Sequence, residues 1–324
     1  MATLNLFFLL KLVSYLVLTL CMFTPSLAMA YSGVTIVFSS PTAANTEFLE
    51  SFKAEILAAK NSKLTVRMID LDDADKLLIA DNSELVIALG VKALETASKL
   101  KHTTPIIGVF TPLPAFNRLL EASHRDLGNF TAIVLDQPFT RQLSLIKIMM
   151  PEAKRVGILL GPTSSKYAEY LKEEGEKAGR SINIEYISQE SELIPQLKKT
   201  LENNDVLLAV PDALIYNRET AQAILLTTYR HQKPVFGYSL SYVRAGGLAA
   251  VYSTAKQIAK QAAELAIKAE QATSLLPPPQ APRYFSITVN YQVARSLSLP
   301  ILDEDAIDKK MRQAEIAEHE VGRN

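Results

Sequence analysis

The chain has little of what most catalytic and metal chemistry needs. Of its 324 residues only one is cysteine, Cys21, and only four are histidine. His102, His124, His231 and His319 are scattered and show no metal-ligand spacing. No pair of carboxylates or nucleophile–base pair stands out. There is no G-x-S-x-G elbow, no G-x-x-x-x-G-K-[ST] loop and no G-x-G-x-x-G after the first apolar run. These absences argue against an enzyme and leave no cofactor or metal to expect. Charge of one sign is also missing: 34 basic residues balance 34 acidic ones, and no block of five or more Lys/Arg occurs. Nothing therefore draws the chain to nucleic acid.

Long apolar runs are scarce too, and the one present is at the start. Leu4 to Leu27 carries a single charge, Lys11, and ends in Ala28-Met29-Ala30, a small-x-small cleavage pattern. Residues 1–30 read as a secretory signal peptide, with an uncleaved anchor as the rival because Lys11 lies inside the run. Leu20 before Cys21 does not suit a lipoprotein signal. Cleavage would remove the only cysteine, so neither a disulfide nor a thiolate is available afterwards. The remaining chain is expected to be soluble and exported, which in a double-membraned bacterium means the periplasm.

What remains is an ordinary globular composition, 48% apolar and 21% charged, long enough for two domains. Short apolar runs alternate with segments of helical period: Val34–Phe38, Leu64–Ile69, Leu85–Leu89, Pro105–Phe110, Ala132–Leu135, Val156–Leu160, Ile184–Ile187, Val206–Val210, Pro234–Gly237 and Leu248–Tyr252. Nearly continuous apolar runs predict strands buried on both faces, and the alternation predicts α/β units with parallel sheets. Ten or eleven strands suit two such units. Crossings between them are expected at Leu135–Pro138, Arg244–Gly247 and the proline-rich Leu276–Pro282. This gives lobe 1 as 31–136 plus about 252–280, lobe 2 as 138–247 plus about 283–300, and 301–324 as a charged tail forming a surface helix that frays.

Ligands of open parallel sheets sit beyond the carboxyl ends of the strands. The loops there are rich in hydroxyls, prolines and tyrosines. They nominate Ser39, Ser40, Thr42 and Thr111 from the first unit, Asp136 from the first crossing, and Thr163, Ser164, Tyr167, Asp212, Tyr216, Asn217 and Tyr238 from the second. Helix N-termini suit a carboxylate, an aspartate suits an ammonium, and tyrosines make a flat wall with a polar tip. The set fits a small zwitterion or polar organic molecule. Each residue also fits a plain structural role: Ser and Thr as helix caps, Asp212 as the cap of a helix read as Ile215–Gln232, the tyrosines as partly buried aromatics.

The stretches "MMPEAKRVGILLGPTSS" (Met149–Ser165), "NDVLLAVPDALIYN" (Asn204–Asn217), "HQKPVFGYSLSYVRAGGLAAVYS" (His231–Ser253) and "VNYQVARSLSLP" (Val289–Pro300) resemble, in order and spacing, the bacterial ABC-transporter substrate-binding proteins. The likeness runs roughly from Ser83 to Leu299. It implies a type I periplasmic-binding fold: two Rossmann-like lobes with parallel sheets, joined by a three-segment hinge and closing on a ligand. The implied partners are a small-molecule ligand and a separate membrane permease with its ATPase, with the chain itself monomeric. A sensing module read by a receptor kinase or another uptake system is the alternative. Many transport members carry P-T-D-N where this chain has Pro211-Asp212-Ala213, so only Asp212 carries over as a ligand contact. On that reading Asp212→Ala removes binding and leaves the empty protein folded.

Overall fold

The computed structural model describes residues 33–59, 62–71, 85–271, 275–300 and 302–321. The signal-peptide reading of 1–30, and Cys21 with it, lies outside them. The first sheet is built from β1 (Gly33–Phe38), α1 (Ala43–Ala58), β2 (Thr65–Asp70), β3 (Leu85–Leu89), α2 (Val91–Ala97), β4 (Ile106–Thr111), α3 (Leu113–Ser123) and β5 (Phe130–Val134). Its strands run parallel in the order β2-β1-β3-β4-β5. The second unit comprises α4 (Phe139–Met149), β6 (Arg155–Leu160), α5 (Ala168–Lys177), β7 (Ser181–Tyr186), α6 (Leu193–Asn203), β8 (Val206–Leu208), α7 (Arg218–Arg230), β9 (Val235–Gly237), α8 (Leu240–Ala245) and β10 (Ala249–Tyr252). The chain then supplies α9 (Ala255–Gln271), β11 (Ser286–Val289), α10 (Tyr291–Ser296) and α11 (Glu304–Val321). The second sheet has the order β11-β10-β9-β8-β6-β7.

Two strands depart from the expected burial on both faces. In β2 and β7 most residues are exposed or half-buried, while every residue of β3 is buried. Both are edge strands, so each is paired on one side only. Polar Arg67 in β2 and Glu185 in β7 sit where an apolar edge would invite another chain.

The crossings decide the rest of the topology. The first runs from β5 into α4 through Leu135–Pro138. The second differs from expectation. Arg244–Gly247 stays within the second unit, because Gly246, at φ +132, ends α8 and returns the chain to β10 of the same sheet. The chain leaves only after Tyr252, and α9 buries Ile258, Ala262, Leu265 and Ala269 with Phe48 and Phe52 of α1 in the first core. The third crossing begins at Leu276, whose N–H donates to the Gly128 carbonyl at 2.8 Å. Gln280 then bridges to Ile133 beside β5. The chain next enters the second sheet from the side of the gap, where the parallel strands have their carboxyl ends. β11 therefore runs antiparallel to β10, the one antiparallel pairing among the described residues.

The tail differs as well. Far from lying loosely on the surface, α11 buries Ile307 and Met311 in the second core. Glu304 at its start accepts the Val289 N–H at 2.7 Å, and Glu315 pairs with Arg141 of α4. The amphipathic pattern within a charged segment explains why: two apolar side chains four residues apart lie on one face.

Candidate functional site

All three crossings meet at a cavity of about 670 Å³ between the two sheets. Its first-lobe wall is Pro112, Leu113, Pro114 and Val134. This wall follows a local irregularity: β4 shifts register between Val109 and Thr111, and Phe110 adopts φ 55. Such a bulge re-aims the chain at a strand end, here turning the prolines toward the gap. The second lobe contributes Phe139 and Gln142 of α4, Tyr167, Tyr170 and Leu171 at α5, and Tyr238, Ser239 and Leu240 after β9. The crossings add Leu135, Asp136, Gln137, Tyr252, Ser253 and Pro279 to Ala281.

The floor is held by the crossings bonding to one another. Gln137 donates to Ser253 Oγ at 2.8 Å, and Ser253 donates to the Tyr284 carbonyl at 2.6 Å. Arg141 donates to Gln137 Oε1 at 3.0 Å and to the Pro282 carbonyl at 2.6 Å, with its guanidinium 4.5 Å from the Phe285 ring centre. Gln261 of α9 accepts the Arg283 N–H at 2.7 Å. One buried arginine and two glutamines thus tie the three segments together where the lobes would pivot.

Asp136 is the only side chain in the lining that is ionised at its ordinary pKa. Its Oδ2 accepts the Leu113 N–H at 2.6 Å at the start of α3. Burial still pushes its carboxyl above the usual range, with that hydrogen bond acting in the opposite direction. The Tyr167 hydroxyl is buried with no hydrogen-bond partner, and its pKa rises through burial and then through the charge of Asp136.

Of the twelve nominated residues, the cavity brings together Asp136, Tyr167 and Tyr238. The other nine lie off its walls. Thr42 caps α1 by accepting the Asn45 N–H at 3.1 Å, and the Ser40 carbonyl accepts from Asn45 at 2.8 Å, with Ser39 half-buried beside them. Thr111 is fully buried with its hydroxyl on the Val109 carbonyl.

Asp212 is turned into its own lobe. Its Oδ2 accepts Thr163 N–H and hydroxyl at 3.1 and 2.7 Å and Ser164 N–H and hydroxyl at 3.0 and 2.8 Å. Its Oδ1 accepts the Leu214 N–H at 3.0 Å. A Cβ on Gly161 would stand 2.4 Å from Asp212 Oδ1, so that glycine is needed for the approach. The Pro-Asp after β8 therefore pins the β6–α5 loop to the β8–α7 loop. Asn217 caps α7, accepting the Glu219 and Thr220 N–H groups at 3.0 and 2.9 Å. The helix consequently starts at Arg218, after the expected Ile215. Tyr216 packs edge-on to Tyr238 and Tyr242, with ring centres 6.1 and 5.9 Å away.

The wall residues Phe139, Tyr170 and Tyr252 were not nominated from sequence. Tyr252 was visible as the last residue of a strand. Phe139 and Tyr170 carry no local signal, because each lies in or beside an amphipathic helix whose facing surface is set by the other lobe.

A profile of the ABC transporter substrate binding protein family matches residues 50–305. The chain belongs to this family. The tyrosine-binding protein of Clostridioides difficile (strain R20291) is 21% identical over 229 residues, 70% of this chain and 64% of that protein. The matched part thus spans just under two thirds of the relative. Among solved structures, a ligand-free, open substrate-binding protein with adhesive properties from Clostridium difficile superposes with a TM-score of 0.67 at 17% identity, covering 84% of this chain and 96% of the other. An ABC domain from Streptococcus pneumonia in complex with L-Trp gives 0.58 at 17%, covering 86% and 98%. These likenesses show the fold: a two-lobed α/β protein of the type I periplasmic-binding kind. Such proteins bind small molecules and work with membrane transporter components. No helix among the described residues is long and apolar enough to cross a membrane.

Proposed function

We propose that this substrate-binding protein is exported by its first thirty residues and captures a small organic molecule with an aromatic or otherwise apolar body in the interlobe cavity, delivering it to a separate permease. One observation carries the reading. The walls come from both lobes and from all three crossings, so a ligand that touches every wall is bound best in one hinge angle. Binding then shifts the population of lobe arrangements by its differential affinity for them, and the transporter would read that shape. The cavity volume falls inside the roughly 300–1,000 Å³ common for small-molecule sites. Proline, leucine and tyrosine dominate the walls, which suits a flat apolar body over a sugar. The Tyr- and Trp-binding relatives point in the same direction.

The test is a thermal-shift screen of the purified protein against aromatic compounds, amino acids, sugars and nucleosides, followed by small-angle scattering. A ligand at a hundred times its Kd adds about 2.7 kcal/mol of stability, and closure should reduce the radius of gyration. Stabilisation only by sugars, or by nothing in the screen, would sink the reading.

A further inference from the structure

The charge of the ligand can be read from the cavity, on the footing that the cavity is the capture site. We propose that it selects monocationic amines with an aromatic body over the corresponding zwitterionic amino acids and over carboxylates. Asp136 carries the only carboxyl group in the lining, which contains no lysine, arginine or histidine among the described residues. A protonated amine beside it would give this largely buried carboxylate the counter-charge that the Leu113 N–H supplies only in part. The unpartnered Tyr167 hydroxyl lies within the electrostatic reach of Asp136 and offers the same ammonium an acceptor. Tyrosine rings on the walls add faces that attract cations and stack on an aromatic body.

A ligand carboxylate finds no such reception. It would share the cavity with the Asp136 carboxyl, and two carboxylates close together repel. The cations of the described residues all lie outside the lining. Arg141 is spent on Gln137, the Pro282 carbonyl and Glu315. Lys166 is exposed, with its ammonium 5.4 Å from the centre of the Tyr167 ring. Of the neutral donors, Gln137 donates to Ser253 and Ser253 donates to the Tyr284 carbonyl, so what is left to meet an anion is uncharged hydroxyls and amides. The walls thus hold an acidic acceptor for a cation and no cationic donor for an anion.

Calorimetry of the purified protein with matched series decides this: tyramine, L-tyrosine and 3-(4-hydroxyphenyl)propionate, and tryptamine, L-tryptophan and indole-3-propionate. The amines should bind at least about tenfold tighter than the amino acids, which differ from them only by the carboxylate, and the acids should give no heat. Asp136→Asn should weaken amine binding at least about tenfold and abolish the preference, and Tyr167→Phe should weaken it by a smaller factor. Should Asp136→Asn fold poorly, the wild-type ranking alone still decides. An amino acid or acid binding tighter than its amine overturns the charge assignment while leaving solute capture standing. Silence from all six compounds also overturns it, and the broader screen then judges solute capture separately.

Discussion

Two aspartates follow strand ends in this molecule, and their surroundings are opposite. Asp212, after β8, accepts five hydrogen bonds from its own lobe. Asp136, after β5, is half-buried at the cavity wall and accepts the Leu113 N–H. Both look alike in sequence: an acid within two residues of a proline at the carboxyl end of an apolar run. The difference is one of supply. The β6–α5 loop reaches over Asp212 with two hydroxyls and two N–H groups, whereas Asp136 accepts the Leu113 N–H and lies on a wall of prolines and tyrosines. A saturated carboxylate is a structural pin, and an unsaturated one in a cavity is available to a ligand.

The largest effect should come from removing the pin. Asp212→Ala leaves the Ser164 N–H and hydroxyl without their acceptor in a buried place and the more exposed Thr163 donors unpaired beside them, which should cost about 3 kcal/mol and be seen in urea denaturation of the empty protein. That reverses the expectation from sequence that the substitution would spare the fold. A normal denaturation midpoint would show that the five bonds matter little and would break the contrast. Gly161→Ala tests the same pin sterically. Its Cβ would lie 2.4 Å from Asp212 Oδ1, so a loss of about 1–3 kcal/mol is expected, smaller if the carboxylate can swing aside.

Asp136→Asn should act on pH dependence more than on overall stability. The folded-state pKa of Asp136 is raised, so the empty protein loses stability as pH climbs from the ordinary carboxylate range through that raised value. The asparagine variant should lack this decline and match or exceed the wild type at neutral pH in denaturation series. A steeper decline in the variant would reverse the assigned sign.

The smallest effect belongs to a third aspartate, Asp205, held to a pKa of about 2 chiefly by its hydrogen bond with Arg155 and helped by the Arg155 and Lys154 N–H groups. Here the shift is downward, so its contribution is present above the ordinary carboxylate pKa and fades as pH falls toward 2. The pair is largely exposed, and Asp205→Asn should cost about 1 kcal/mol or less at pH 7, with the difference from wild type vanishing in acid.

Much of the fold could be read locally. Leu85–Leu89 is a strand because an unbroken apolar run has only a buried sheet to enter, and Ile258, Ala262, Leu265 and Ala269 form a helix stripe by spacing alone. The proline-rich third crossing was equally plain. Gly246-Gly247 misled because a glycine that ends a helix and a glycine that serves a hinge have the same local signature. The site was less legible. Asp136, Tyr167 and Tyr238 were visible as polar or aromatic groups at strand ends, but Asp212 had the same signature and went the other way.

The pattern of apolar runs, helical periods and breakers along the chain determined that this protein has two α/β units, eleven strands among the described residues and a family resemblance in four stretches. Only the tertiary structure decided which polar groups at the strand ends face the gap, that β11 runs backwards and that α11 is anchored. Secondary structure follows from neighbours a few residues apart. Whether a carboxylate is saturated or left for a ligand depends on donors that reach it from loops some fifty residues away, or from none, and no local pattern encodes that count.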